Sequence, residues 1–493
     1  MRILQAKGYM RLSKLIDGVY TKALPVHFQD FEVLTVSCDS REGQKDGLFV
    51  ALPGAKFNGE DFIKDAIGQG ARIIVKQGPL KSTAFPDNVC ILEVDDPKYF
   101  LHCIGQRFYD DPSRKVKSVG VTGTNGKTTI TYLIESIIHR VAKSCGVIGT
   151  VNYRIGDKIL PSKNTTPGFL DNQRYLAQLA GLGVHYCVME ASSHALDQGR
   201  LEGVHFSAGI FTNLTQDHLD YHKDMESYFR AKSLLFRDLS SDAVAVINVD
   251  DEYGKRLCPL TNSKIISYAI DGPADVSAKN ISYHLSGTHF EIVFPEGMIK
   301  VHTRFIGKHN IYNILAAFAW GLSQNLSPES IRQGIEELTC VPGRLEPVEN
   351  NKDFFVFIDY AHTEDGLVNV LKALKAVSSQ KIILVFGCGG DRDRTKRPKM
   401  ARAACDLADH SIVTSDNPRS EDPQTIINEV ITGFTKKNFE ICVERKEAIA
   451  RALQLAQKDQ IVLIAGKGHE DYQIFKDRTI KFNEREIVKE CLQ

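Results

Sequence analysis

Gly120-Val121-Thr122-Gly123-Thr124-Asn125-Gly126-Lys127-Thr128-Thr129 is the stretch on which the fold turns. An apolar run, Val116 to Val121, leads into it. Ile130, Leu133, Ile134, Ile137 and Ile138 follow at three- and four-residue spacing. That order predicts a strand, a Gly-rich turn and an amphipathic helix, the context a phosphate-binding loop requires. Glycines let backbone N–H groups turn toward phosphate oxygens, and the helix N-terminus adds its partial positive charge. Lys127 then reaches the β- and γ-phosphates and the Thr128 hydroxyl meets Mg²⁺. The spacing is the compact Gly-x-x-Gly-Lys-Thr, with Val121 where the longer form has glycine.

Outward from the loop, 493 residues exceed what one core serves, so several domains are expected. Lys+Arg and Asp+Glu both number 61, which removes the electrostatic case for nucleic acid as the main partner. Eleven cysteines without a C-x-x-C pair read as reduced thiols of a cytoplasmic protein. No apolar stretch reaches membrane-spanning length, and the N-terminus lacks a signal-peptide pattern. Met10 is a second possible translation start, which would make the first nine residues a disordered extension.

The expected fold class is α/β with three domains: 1–112, a small N-terminal domain; 113–342, a central P-loop ATPase domain on a parallel sheet; and 343–493, a C-terminal Rossmann-like domain. In the second unit, strands at Ser144–Thr150, His185–Glu190, Phe206–Leu214 and Ala243–Val249 alternate with helices near Phe169–Ala180 and Met225–Leu239. From Lys264 to Phe305 the pattern reads as an antiparallel appendage. Cys340–Arg344 carries turn residues suited to a hinge. The third unit has strands at Phe354–Tyr360, Lys381–Gly387, Ser411–Ser415 and Ile461–Ala465, separated by helices.

Polar clusters fall at predicted strand ends, where open α/β sheets bind ligands. Glu190, in Glu-Ala-Ser-Ser-His, is a candidate oxygen ligand for Mg²⁺. His218 sits in a second cluster, Thr215–His222, and is a candidate for another cation. Arg200 reads either as a partner for an anionic group or as a surface charge. Lys232, read by itself, is an ordinary surface lysine on a helix. Three further loops, Gly387–Pro398, Ser415–Arg419 and Ala465–Glu470, each follow a strand and together imply one pocket. In it Asp416 and Glu470, with Arg392 and Arg419, suit a ligand carrying both amine and carboxylate.

Across nearly the whole chain after about residue 30, these motifs resemble the Mur ligases, the ATP-dependent amide-forming enzymes of peptidoglycan synthesis. The resemblance rests on Thr122–Thr129, Asn164-Thr165-Thr166-Pro167, Glu190–His194, Asn213–Asp220, His309–Asn313, Pro342-Gly343-Arg344, Asp359-Tyr360-Ala361-His362 and Gly466–Glu470, in family order. It implies that Gly123, Thr124, Asn125, Gly126, Lys127, Thr128 and Thr129 hold ATP, with Asn310, Arg344 and Asp359 facing the nucleotide. It implies two Mg²⁺ sites using Thr128, Glu190, His218 and a carbamylated Lys232, which overturns the surface reading of that lysine. Ser40, Asn164, Thr165, Thr166, Ser192, Gln198 and Arg200 fall on the positions that contact a UDP-N-acetylmuramoyl dipeptide. Arg392, Asp416, Asn417, Pro418, Arg419, Gly466 and Glu470 fall on the amino-acid site. Asp416-Asn417-Pro418-Arg419 matches members that add meso-diaminopimelate, because members that add lysine lack the arginine. The partners implied are these small molecules, with no nucleic acid, no membrane insertion and a monomeric, cytoplasmic enzyme. Glu364 departs from the family, which usually has proline there, and puts the local loop shape in question. The alternatives are the same reaction with L-lysine, a related ligase such as a folylpolyglutamate synthetase, and a nucleotide switch without catalysis.

Overall fold

The computed structural model describes residues 9–24, 28, 30–42, 45–54, 57–78 and 85–493. The possible extension before Met10 lies, but for Tyr9, outside them. Met10 itself opens a two-residue strand against Glu32–Val33.

Three main sheets, the first parallel and the other two mixed around parallel cores, carry the chain. The first, Thr35–Ser37, Gly47–Val50, Ala71–Gln77 and Cys90–Val94, is wholly parallel. It is closed by the helix Pro97–Phe108, whose N-cap Asp96 accepts from Lys98 and Tyr99 N–H. Asp110 and Asp111 both take left-handed backbone at the exit from this unit.

The largest sheet has eleven strands, with Lys117–Thr122 between Tyr186–Glu190 and Phe206–Phe211. Because Val121 pairs with Glu190 and Thr122 with Phe211, three strands end side by side at one edge. The helix Lys127–Arg140 leaves that edge and buries Ile130, Leu133, Ile134, Ile137 and Ile138 completely. Burying each such side chain stabilises the domain by roughly 1.5–3 kcal/mol, so the loop is anchored by the apolar stripe behind it.

Two expectations change here. The region from Lys264 is not a separate appendage. Lys264–Ala269 pairs parallel with Val244–Asn248, and Val276 continues parallel beside it; only Val276–His284, Gly287–Phe294 and Gly297–Thr303 then run antiparallel. Tyr268 ties the added strand in, donating to the Phe211 carbonyl at 2.9 Å. At the other edge Asn152–Ile155 and Lys158–Pro161 form a hairpin around Gly156 that the periodicity did not reveal.

The third sheet, ordered Glu346–Pro347, Phe355–Asp359, Ile461–Ala465, Ile382–Phe386, His410–Val413 and Phe439–Ile441, is parallel after its first pair. Its carboxyl edge carries the loops after Asp359, Phe386, Val413 and Ala465. Pro342-Gly343-Arg344 links the second and third sheets. Gly343 has φ +69°, and a Cβ there would stand 2.4 Å from the His469 nitrogen. Among the described residues no helix is long and apolar enough to cross a membrane.

Candidate active site

The loop Gly123–Gly126 turns with φ +143° at Gly123 and +91° at Gly126. A Cβ on Gly123 would come within 1.8 Å of the Thr212 hydroxyl, and one on Gly126 within 2.3 Å of the Asn313 amide oxygen. Both glycines are therefore required by conformation and by space. Lys127 curls over its own loop, donating to the carbonyls of Gly123 at 2.9 Å and Thr124 at 2.8 Å. Burial pulls its pKa down, and Glu190 and Asp217 oppose that fall.

Thr128 donates to Glu190 Oε1 at 3.0 Å. Glu190 also accepts from the Thr150 N–H at 2.9 Å and its hydroxyl at 2.8 Å. Two hard oxygen donors, Thr128 and Glu190, thus stand together beneath the loop. Lys232, 1 % exposed, reaches the same Gly123 carbonyl at 2.7 Å. Burial, then the charge of Lys127, hold its pKa well below the ordinary lysine value. The charged ammonium is accordingly disfavoured there. His218, in left-handed backbone at φ +54°, lies 3.4 Å from Asp217. Burial drives its pKa down to about 3, so the imidazole keeps a lone pair to share.

Above the loop a cavity of about 340 Å³ is bordered by Asn125, Gly126, Thr128, Thr129, Asn310, Arg344 and Asp359 among others. Arg344 crosses from the third sheet to donate to Thr128 Oγ1 at 3.1 Å. Asp365 does likewise, accepting from the Asn125 side chain at 2.8 Å. Asn310 accepts from Asn313 and donates to the Ile306 carbonyl. Asp359 spends its two oxygens on the N–H groups of Leu345 and Ala361, so it fixes the hinge exit while bordering the cavity.

A second cavity of about 380 Å³ brings together Asn164, Thr165, Thr166, Ser192 and Arg200 from the central sheet with Arg392, Asp416, Asn417, Arg419, Gly466 and Glu470 from the third. Thr166 donates to the Glu190 carbonyl at 2.6 Å, and Ser192 caps the helix Ser193–Asp197. Gln198 stays outside the cavity and orients Arg200, whose guanidinium grips its amide oxygen at 2.6 and 2.9 Å. Pro418 is also outside, its carbonyl packed where a Cβ on Gly390 would be. Ser40 lies apart, on the turn after Thr35–Ser37, although neighbouring Asp39 feels Lys163 of the central domain.

Lys467, wholly buried, donates to Asn417 Oδ1 at 3.0 Å and Glu470 Oε2 at 2.9 Å, with Asp416 at 4.0 Å. Arg397, also wholly buried, ties Glu421 and Glu429 and so joins two of the loops. Its hydrogen bonds hold the Glu421 pKa down at about 2. Arg445 pairs with Glu484 and donates to the Ala465 carbonyl at 2.8 Å. Sequence reasoning counted Arg397 only as one of four basic residues in the loop Gly387–Pro398 and gave Lys467 and Arg445 no role. Arg397 and Arg445 lie among polar and charged neighbours and Lys467 between two glycines, so the sequence carries no sign of their burial.

Profiles of the Mur ligase middle domain, the glutamate ligase domain and the catalytic domain match residues 121–321, 343–468 and 32–103. The chain is 44% identical over 480 residues, 93% of each chain, to the UDP-N-acetylmuramoyl-L-alanyl-D-glutamate–2,6-diaminopimelate ligase of Geobacter metallireducens. It is 41% identical to ligase 1 of that name from Clostridium acetobutylicum, covering 98% of this chain and 99% of the other. The chain is a Mur ligase. A solved ligase of the same title superposes with a TM-score of 0.69 at 31% identity, covering 98% of this chain and 99% of that one. As a Mur ligase it is an ATP-dependent amide-forming enzyme, and the cavity above Gly123–Thr129 is bordered by Asn310, Arg344 and Asp359, the residues expected from the sequence to face the nucleotide.

A third, larger cavity of about 510 Å³ lies between these two and is bordered by Asp217, His218, His362, Asp365, Arg392 and Lys396. The gap is therefore lined from both sheets, by Asp217 and His218 on one side and by Asp365, Arg392 and Lys396 on the other. Glu364, where the family usually has proline, is the first residue of the helix Glu364–Val377, which Thr363 caps.

Proposed function

We propose that this ligase adds meso-diaminopimelate to the D-Glu γ-carboxylate of UDP-N-acetylmuramoyl-L-Ala-D-Glu, in the cytoplasm, as a monomer. The observation that carries the reading is the pairing of Arg419 and Arg392 with Asp416 and Glu470 at one cavity. A ligand with an ammonium and a carboxylate at its far end satisfies both charge signs; lysine leaves the guanidinium of Arg419 without a carboxylate.

The γ-carboxylate attacks the γ-phosphorus of ATP, ADP departs, and an acyl phosphate forms. Lys127 leaves its loop carbonyls to follow the transferring phosphoryl group, and Arg344 approaches from the other side. Thr128, Glu190, His218 and a carbamylated Lys232 would hold Mg²⁺, which supplies charge neutralisation at the phosphates when bound. The donor set fits that cation: two oxygens stand together, and burial that disfavours the Lys232 ammonium favours the free amine, the form that adds CO₂. Among the described residues no group of three His, Cys, Asp or Glu side chains is placed to hold a metal ion, so a carboxylate formed on Lys232 would add an oxygen donor that this set lacks. The amine of diaminopimelate then attacks the acyl carbon and phosphate leaves. Ser40 and the Asn164–Thr166 loop are assigned to the UDP-sugar and its peptide, with Pro342–Arg344 as the hinge between units 113–342 and 343–493.

The test supplies purified protein with ATP, Mg²⁺ and the UDP-dipeptide, and reads product mass with meso-diaminopimelate or L-lysine. Product with diaminopimelate alone is expected. Product with lysine at equal rate overturns the arginine argument, and no product with either overturns the assigned reaction.

A further inference from the structure

Of all the side chains bordering the nucleotide cavity, the amino-acid cavity and the gap between them, His362 alone borders all three. It ends Asp-Tyr-Ala-His, three residues beyond the strand Phe355–Asp359, and no step above uses it. The ring is held. Nδ1 lies 2.9 Å from the Tyr360 carbonyl, and the Tyr360 ring lies 4.7 Å away, centroid to centroid. A carbonyl oxygen only accepts, so Nδ1 carries the proton and Nε2 keeps its lone pair. The backbone carbonyl of His362 accepts from Lys396 at 3.1 Å, which fixes the residue's position further.

The second half of the reaction requires such a group. An amino acid arrives as an ammonium, and its nitrogen must lose two protons to become an amide N–H. One leaves to solvent before attack. The other leaves as the C–N bond forms, when the nitrogen would otherwise carry a positive charge. We propose that His362 is the general base of the amide-forming step, its Nε2 taking that second proton. The bond from the acyl carbon to the phosphate oxygen breaks, its electron pair leaves with phosphate, and the imidazolium returns the proton to the departing phosphate. Atoms and charge balance without a further reactant.

The surroundings suit the role. Burial comes first, then Lys396 and Arg344, in disfavouring the imidazolium, so the resting ring is neutral; the Asp217 carboxylate opposes them and steadies the ring once it is protonated. His469 also feels the charge of His362, and His218, Asp220, Glu364, Asp365, Arg392 and Asp393 border the gap with it, as Asp416, Arg419 and Glu470 border the amino-acid cavity. His194 is a weaker candidate. It borders the amino-acid cavity and the gap but not the nucleotide cavity, and its ring lies against Tyr221 at 4.3 Å.

The inference rests on the amide-forming reading above, and the experiment separates the two. His362→Asn keeps a donor for the Tyr360 carbonyl and removes the base. Wild type and variant are mixed with ATP, Mg²⁺ and the UDP-dipeptide, first without and then with diaminopimelate. Without it, both are expected to release one ADP per site in a burst of equal rate, the mark of acyl phosphate formation. With it, the variant is expected to form amide about 10²- to 10⁴-fold more slowly. A base must be unprotonated, so wild-type kcat rises with pH along a limb below 6.5, the ordinary histidine value. In the variant that limb is replaced by the ionisation of the amine at higher pH. Unchanged amide formation overturns the proposal. Loss of the burst together with the amide also overturns it, because His362 would then serve phosphoryl transfer or folding. Failure of wild type to form any amide overturns the reaction itself.

Discussion

Between Gly123 and Thr128 the loop expected to hold the nucleotide brings two glycines, one lysine and two hydroxyls from a single run of chain. The amino-acid pocket instead draws Arg392, Arg419 and Glu470 from loops up to 78 residues apart and holds them with buried ion pairs. One site is shaped by φ angles that only glycine tolerates. The other is shaped by side chains that cancel each other's charge. The first is consequently sensitive at few positions. The second is sensitive wherever one partner of a buried pair is removed.

Lys127→Ala probes the backbone-built side and has the largest expected effect. Turnover falls at least about 10³-fold, since a charge aimed at the transferring phosphoryl group is lost. Binding of the UDP-dipeptide, read by calorimetry, stays near wild type because Asn164, Thr165, Thr166, Ser192 and Arg200 border the other cavity and not the one above the loop. Loss of that binding as well would erase the contrast between the sites.

Lys467→Met probes the side-chain-built pocket at its centre. Removing one member of a buried pair costs about 3–5 kcal/mol. Asp416 and Glu470 both lose the Lys467 ammonium, and Asn417 loses the bond that sets its amide. The melting temperature should drop, and the KM for diaminopimelate should rise more than the KM for ATP. An equal rise in both would mean the two sites are not independent.

Arg419→Ala sharpens the same comparison at the ligand's far end. Its guanidinium donates to the Gly390 carbonyl at 2.7 Å and so is already aimed. Losing a charged hydrogen bond of about 1.5–3 kcal/mol lowers kcat/KM for diaminopimelate by about 10- to 100-fold. Use of L-lysine, measured in parallel, should not fall. Equal loss with both amino acids would show that Arg419 supports the loop and not the substrate.

The same contrast governs what the sequence could disclose. Lys117–Arg140 was legible because strand, turn and helix are neighbours, and the apolar period continues straight out of the loop. The parallel order of Lys264–Ala269 was not legible, since a short apolar strand carries no mark of its partner's direction. Lys232 illustrates a signal that was present but weak. On the helix Met225–Arg237 it stands one helical step from Tyr228, Phe229, Leu235 and Phe236, on the buried stripe. A lysine where the period calls for an apolar side chain is the trace of a buried amine. Lys467 was obscured because Gly466-Lys467-Gly468 reads as an exposed turn. Its burial depends on Asn417 and Asp416, fifty residues away, and only the folded sheet brings them together.

The smallest expected effect concerns Glu364, which joins the two regions. It opens the helix whose next residue, Asp365, reaches across to Asn125. The first helical position is where proline is best tolerated, because its N–H has no partner within the helix. The preceding residue, Thr363, already has φ −122° and ψ 160°, the extended backbone that a following proline demands. Thr363 also keeps its cap, accepting from Gly366 N–H at 3.1 Å. Glu364→Pro should therefore raise stability by about 0.4–1 kcal/mol through the unfolded chain, offset in part by the lost carboxylate at the helix N-terminus. Thermal melting checks the sign. An unchanged KM for ATP would show that Asp365 still meets the nucleotide loop. A destabilised variant with weakened ATP use would mean that the glutamate side chain, and not the backbone, sets the angle at which the third sheet reaches the second.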